Sequence, residues 1–173
     1  MLSLTIPEGM GFGLRYSKHR TTTLFNVFGA FDFQSFQQPE KLDLGFSNPQ
    51  RLNELSIHEF GHSFVNPVVD KIPQEKITKI DTLFQPIKVA MVKQGYNTWK
   101  ICLYEHFVRA GEVVIAKLSG DTKGSERLRL EYINNRKFVY LAAIIVELER
   151  YSQSKDNYCD AVKRVIDGLA ELK

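Results

Sequence analysis

The sequence predicts an α+β fold, a small N-terminal antiparallel sheet followed by a mainly helical body. Two observations carry that prediction. Residues 1 to about 46 are rich in Gly, Phe and Thr and hold short extended runs, whereas from Pro73 onward apolar residues recur at helical spacing. At 173 residues, 43% of them apolar and 12% aromatic, the chain is long enough to bury a core as a single domain over 1–173.

The elements follow in order. "LSLTI" at 2–6, "FGLRY" at 12–16 and "TTTLFNVFG" at 21–29 read as strands, with "SKHR" as the turn between the last two. "SNPQ" then offers Asn48 as an N-cap and Pro49 at the first helical position, where its missing N–H is harmless. The helix that begins there is expected to stop near Val65, because Pro67 disfavours helical geometry at Asn66. Further helices are expected over 74–94, ending at Gly95; 97–119, ending at Gly120; 122–135; 137–153; and 157–172. There is no internal repeat, low-complexity tract or linker.

Composition removes several function classes. The 23 basic and 20 acidic residues are interspersed, giving a formal charge of +3 without the basic stripe that nucleic acid requires. Cys102 and Cys159 have neither the number of a disulfide scaffold nor the spacing of a CxxC pair. The longest apolar run, "FVYLAAIIV" at 138–146, falls well short of the ~20 residues of a transmembrane segment and is bracketed by Lys137 and Glu147. The N-terminus "MLSLTIPEGMGFG" lacks a basic n-region and an apolar h-region. Because the chain starts inside a strand-like segment, it is expected to be a catalytic fragment of a longer protein, which leaves a secreted or periplasmic home open. Oligomeric state is not readable.

The chemistry sits in "LSIHEFGHSFVNP", Leu55 to Pro67. His58 and His62 are four residues apart, about 40° around a helix, and can reach one ion. Glu59, about 100° from His58, is placed to take a proton from water on that ion. A chain with this content of His and Glu would show HExxH by chance roughly once in 160 cases, so the context has to support the motif. It does: the helix has a defined start, Ile57, Phe60 and Phe64 form an expected apolar flank, and Gly61 allows close approach. A third ligand is offered by "CLYEHFVRAGEVV" at 102–114, where Glu105 and Glu112 are nearly in register with Arg109 between them. On spacing alone either glutamate fits.

With these residues the sequence resembles the zincin metallopeptidases. The metzincin continuation is excluded, since Val65 and Val68 occupy the positions of its Gly and third His. "HEFGHSFVNP" followed by "YEHFVRA" is similar to a bacterial domain-of-unknown-function family with gluzincin-type character, over about 60 residues, of which only HExxH is specific. The resemblance implies a zincin-like catalytic domain holding Zn2+ through His58, His62 and Glu105, the last matching the family-like ExxxRA. It implies Glu59 as general base, a peptide or protein substrate lying along an edge strand, and peptide-bond hydrolysis by a zinc-bound water. Thermolysin-like enzymes carry Asp where this chain has Arg109, which leaves Arg109 to orient Glu105 or to bind a substrate carboxylate. His106 is read as a polar residue at the edge of the site or an oxyanion donor, and Tyr140, then Tyr132, as candidate oxyanion stabilisers. Asn66 falls between Glu59 and His62 on the helical wheel but, standing before Pro67, reads also as a helix-ending turn, and His19 reads as a turn residue. A non-peptidase zinc hydrolase and a metal-binding module without turnover are the alternatives.

Overall fold

In a computed structural model, residues 10–31 and 44–172 are described, so the expected strand at 2–6 lies outside the described residues. The fold is α+β: one hairpin and then helices. Contacts gather into two compact units, 1–63 and 64–173, and the division falls inside one continuous helix, α1 (Pro49–Val69).

In the first unit β1 (Gly11–Lys18) and β2 (Thr21–Phe28) form an antiparallel hairpin in which Gly11 faces Phe28 and Lys18 faces Thr21. The turn is tighter than "SKHR" suggests. Ser17 and Lys18 are strand residues, and His19 reverses the chain with a φ of 54°, in the left-handed region that two-residue hairpin turns use. Alternation along β1 leaves Phe12, Leu14 and Tyr16 on an exposed face. Gly11 and Gly13 lie on the other face, against α1: a Cβ on Gly13 would sit 2.5 Å from the Glu59 carbonyl oxygen, and one on Gly11 3.2 Å from the Leu55 side chain. The Asn26 Nδ2 donates to the Ser56 carbonyl at 3.2 Å, and the Arg51 Nη2 to the Phe31 carbonyl at 2.7 Å. The hairpin is thereby tied to the first half of α1.

Helix α1 starts as expected, the Arg51 N–H donating to the Asn48 side chain at 3.0 Å. It does not stop at Val65. Pro67 is accommodated inside the helix, and four residues on the Asp70 N–H still donates to Asn66 at 2.9 Å. Pro67 deprives only the Ser63 carbonyl of its usual N–H partner. Burial of Val65 and Val69, one turn apart in the core of the second unit, opposes that loss.

The second unit is helical. The single helix expected over 74–94 is three pieces: α2 (Gln74–Lys79), a 3₁₀ segment (Asp81–Ile87) and α3 (Lys88–Lys93). Pro86 lies inside the 3₁₀ segment, where it cannot donate the hydrogen bond that an α-helix would need. Gly95 (φ 94°) then ends α3 and Gly120 (φ 86°) follows α4 (Trp99–Leu118), both in the left-handed geometry that glycine favours after helices. The Thr98 hydroxyl caps α4 by accepting from the Ile101 N–H at 3.3 Å. Leu103, Phe107 and Ala110 of α4 are fully buried, and α5 (Thr122–Leu130) and α6 (Leu141–Ser152) pack on it. A π turn (Glu131–Asn135) follows α5. It closes through Lys137, which takes φ 64° while the Phe138 N–H donates to the Tyr132 carbonyl at 2.9 Å. That closure is why α6 starts at Leu141 rather than near 137. Helix α7 (Tyr158–Leu169), capped by Asn157, packs on α6, and the chain continues in a 3₁₀ turn (Ala170–Leu172). Among the described residues no helix is long and apolar enough to cross a membrane.

Candidate metal centre

Helical spacing on α1 brings the Nε2 atoms of His58 and His62 to 3.3 Å from each other, with the rings edge to face, 4.8 Å apart and 88° inclined. That separation suits a hydrogen bond. It also matches a shared ion, because two nitrogens at about 2.05 Å from a tetrahedral zinc sit about 3.3 Å apart. Both histidines are half-buried, and Glu59 between them is 8% exposed. The expected apolar flank is only partly covered: Phe60 is 36% and Phe64 62% exposed, while Ile57 is half-buried. The aromatic rings of α1 point outward because the turns of this helix before Val65 are covered by a two-stranded hairpin that buries a narrow stripe.

His58 and His62 in the first unit supply two of the donors that a metal ion needs, and Glu105, the third candidate, belongs to the second unit. Glu105 belongs to α4, where it is 8% exposed. The Arg109 Nη2, one turn on, donates to the Glu105 Oε2 at 3.1 Å and to the Tyr96 hydroxyl at 3.0 Å. Its guanidinium carbon lies 4.8 Å from the centre of the Tyr132 ring and 5.0 Å from that of Phe138, and the residue is 5% exposed. Burial opposes the guanidinium charge, but the fields of Glu105 and Glu112 outweigh it and raise the Arg109 pKa. Glu112, the alternative ligand, is 4% exposed and its carboxylate accepts from the Tyr132 hydroxyl. Burial, then Glu112, raises the pKa of that phenol. A guanidinium enclosed in this way is turned away from solvent, so the reading of Arg109 as a substrate-carboxylate binder loses its footing.

His106 is not at the edge of a site. It is fully buried, with its Nδ1–H donating to the Cys102 carbonyl at 2.8 Å and its ring 4.8 Å from Phe138 and 5.8 Å from Tyr140. Burial pulls its pKa down to about 4, so the imidazole is neutral at pH 7, and its Nε2 has no hydrogen-bond partner among the described residues. The Cys102 thiol beside it is pushed up to about 12 by burial and by Glu105. The Tyr140 hydroxyl donates to the Leu83 carbonyl at 2.7 Å, so that phenol is engaged with backbone. His19 is in the hairpin turn, and Asn66 is a helical residue of α1 rather than a turn.

A model of one protein family, a domain of unknown function designated DUF4932, matches residues 12–164. The chain belongs to the DUF4932 family. No curated protein and no solved structure matches it.

The part of this DUF4932 chain that matches runs from Phe12 on β1 to Arg164 on α7 and so includes HExxH, Glu105 and Arg109. Two residues of the arrangement escape a reading of the sequence. Tyr96 reaches Arg109 from 13 positions away, ahead of α4, and Phe138 lies beyond the π turn. No spacing rule links either to Arg109. The available signal was that Arg109 falls between two glutamates on one helix face, which calls for further partners if the helix is buried.

Proposed function

We propose that the protein is a zinc metallopeptidase of gluzincin type, with His58, His62 and Glu105 as metal ligands and Glu59 as general base. The reading rests on the paired donors of α1, two imidazole nitrogens 3.3 Å apart with a glutamate directly after the first histidine; Glu105 enters as third ligand through the gluzincin-like ExxxRA of α4. Zinc held there supplies a Lewis acid that polarises a substrate carbonyl and lowers the pKa of water toward ~7. Glu59 takes a proton from the attacking water and delivers it to the departing amine, while the remaining hydroxyl bonds to the carbonyl carbon. His58 and His62 bind through Nε2 as neutral rings. Peptide or protein is the substrate class, and Arg109, enclosed in its pocket, does not touch it.

The test joins metal content with activity. Elemental analysis of the purified protein should find about one zinc per chain. Glu59→Gln should retain the metal and cleave a peptide library 10²–10⁴-fold more slowly, about the contribution of a positioned base, since the amide keeps the shape but accepts no proton. No zinc after reconstitution at neutral pH, or wild-type cleavage by the variant, overturns the proposal.

A further inference from the structure

Resting on the reading of a peptide as substrate, we propose that Arg136 is a binding residue for a peptide carboxylate. Arg136 follows the π turn and is half-buried. Gln94 holds it twice: the Gln94 Nε2 donates to the Arg136 carbonyl at 2.9 Å, and the Arg136 Nε donates to the Gln94 Oε1 at 3.0 Å. The Arg136 Nη2 reaches the Tyr96 hydroxyl only at 3.5 Å, and Nη1 has no hydrogen-bond partner among the described residues.

Two arginines meet at Tyr96, and they differ in counter-charge. Arg109 and Arg136 both donate to its hydroxyl, at 3.0 and 3.5 Å, and both guanidinium carbons face the Phe138 ring, at 5.0 and 5.9 Å from its centre. Arg109 is paired with Glu105 at 3.1 Å. Arg136 forms no ion pair among the described residues. Like charges brought this close repel, and Arg136 cannot swing away without giving up its bond to Gln94. An anion on Arg136 relieves that cost. The end of a guanidinium presents N–H groups in a planar fork that matches a carboxylate. The clamp on Nε aims that fork in advance, so little freedom is lost on binding. The Tyr96 hydroxyl, which accepts from both arginines, has its own hydrogen to give to the same anion.

The site also lies close to a proposed ligand. From the Glu105 Oε2 to the Arg109 Nη2, on to the Tyr96 oxygen and on to the Arg136 Nη2 takes three contacts of 3.1, 3.0 and 3.5 Å, all within the second unit. At roughly 3.5 Å of chain per extended residue, a peptide held by its carboxylate at Arg136 spans that distance within a few residues. Gripping a substrate carboxylate, the role that sequence suggests for Arg109, thus passes to the arginine without an ion pair. The carboxylate is that of a peptide C-terminus or of an acidic side chain.

Three probes separate these sources: acetyl-Ala-Ala-Ala with a free C-terminus, the same peptide as its C-terminal amide, and acetyl-Ala-Asp-Ala amide. Binding to the full chain is followed by NMR of the arginine side chains, with phenanthroline, an uncharged chelator, present so that no peptide bond is cleaved during the titration. At least one carboxylate peptide should bind about 10–100-fold more tightly than the uncharged amide, the range for hydrogen bonds to a charged partner, and should move the Arg136 Nη signals. Preference for the free acid assigns the site to a C-terminus, and preference for the Asp peptide assigns it to an acidic side chain. Arg136→Gln should bring the three peptides to nearly equal affinity. Arg136→Lys, which keeps the charge without the fork, should retain part of the preference. Gln94→Ala releases the clamp without changing charge and should weaken the preferred peptide by less than Arg136→Gln does.

Equal binding of the three peptides by wild type would overturn the proposal, as would a preference that survives in folded Arg136→Gln. Should Arg136→Gln fail to fold, the wild-type spectra decide: a bound carboxylate that moves the signals of other arginines and not those of Arg136 overturns it. These readouts need neither metal nor cleavage. If Arg136 selects carboxylates while Glu59→Gln cleaves like wild type, the carboxylate site stands and the peptidase reading falls. If cleavage depends on Glu59 while the three peptides bind alike, only the role of Arg136 falls.

Discussion

Helices α1 and α4 are nearly equal in length, 21 and 20 residues, yet their candidate donors are held in opposite ways. On α1 the two histidines are half-buried and meet because four residues make about one turn. On α4 the acidic and basic residues Glu105, His106, Arg109 and Glu112 are all at most 8% exposed, and Arg109 and Glu112 reach tyrosines outside the helix. A donor pair set by helical pitch can sit on a partly solvated helix. A carboxylate that must be aimed and also kept charged needs a surrounding shell, and only a core helix supplies one. The difference teaches that helical pitch alone can pair two donors, whereas a buried charged group takes its partners from elsewhere in the fold.

Removing a donor from α1 should have the largest effect and leave the fold intact. His62→Ala is expected to reduce zinc from about one per chain to below detection by elemental analysis, while the thermal midpoint of the metal-free protein moves by no more than about 0.5 kcal/mol equivalent, as for a residue without a packing role. Retained zinc would show that the α1 pair is not the primary anchor. On α4 the reverse holds. Leu103→Ala, at a fully buried position, should lower unfolding free energy by about 2–5 kcal/mol in urea titrations. Thr98→Ala removes only the cap on the Ile101 N–H and should lower it by about 1 kcal/mol. Smallest of all is Phe64→Ala on α1, where a side chain 62% exposed should change stability by less than about 0.5 kcal/mol. A large loss there would mean that the exposed aromatic face of α1 has a structural role.

The same contrast governs what could be read from residues alone. HExxH, the Asn48 cap and the Gly95 and Gly120 stops depend on neighbours in sequence, and each appears where its spacing puts it. Pro67 and Pro86 show where such rules give out. Both bar an N–H from the helix, yet Pro67 is carried through by the burial of Val65 and Val69, and Pro86 breaks the expected helix into a 3₁₀ segment. Which outcome prevails is decided by tertiary packing. The surroundings of His106 were hidden for the same reason: its place beside Glu105 in sequence says nothing of a ring that lies among Trp99, Phe138 and Tyr140. Tyr96 and Phe138 were invisible as partners of Arg109 because nothing local connects them to it.

Gly13 sets the height at which the hairpin crosses α1. The strand approaches so closely that a Cβ there would be 2.5 Å from the Glu59 carbonyl oxygen. Sliding β1 by one residue in either direction would bring the Cβ of Phe12 or of Leu14 to that spot, and the same slip would turn an apolar side chain toward the helix backbone where no room exists. The missing side chain therefore acts as an index mark, a notch that bars a one-residue slip and keeps the strand at the rung that carries Glu59.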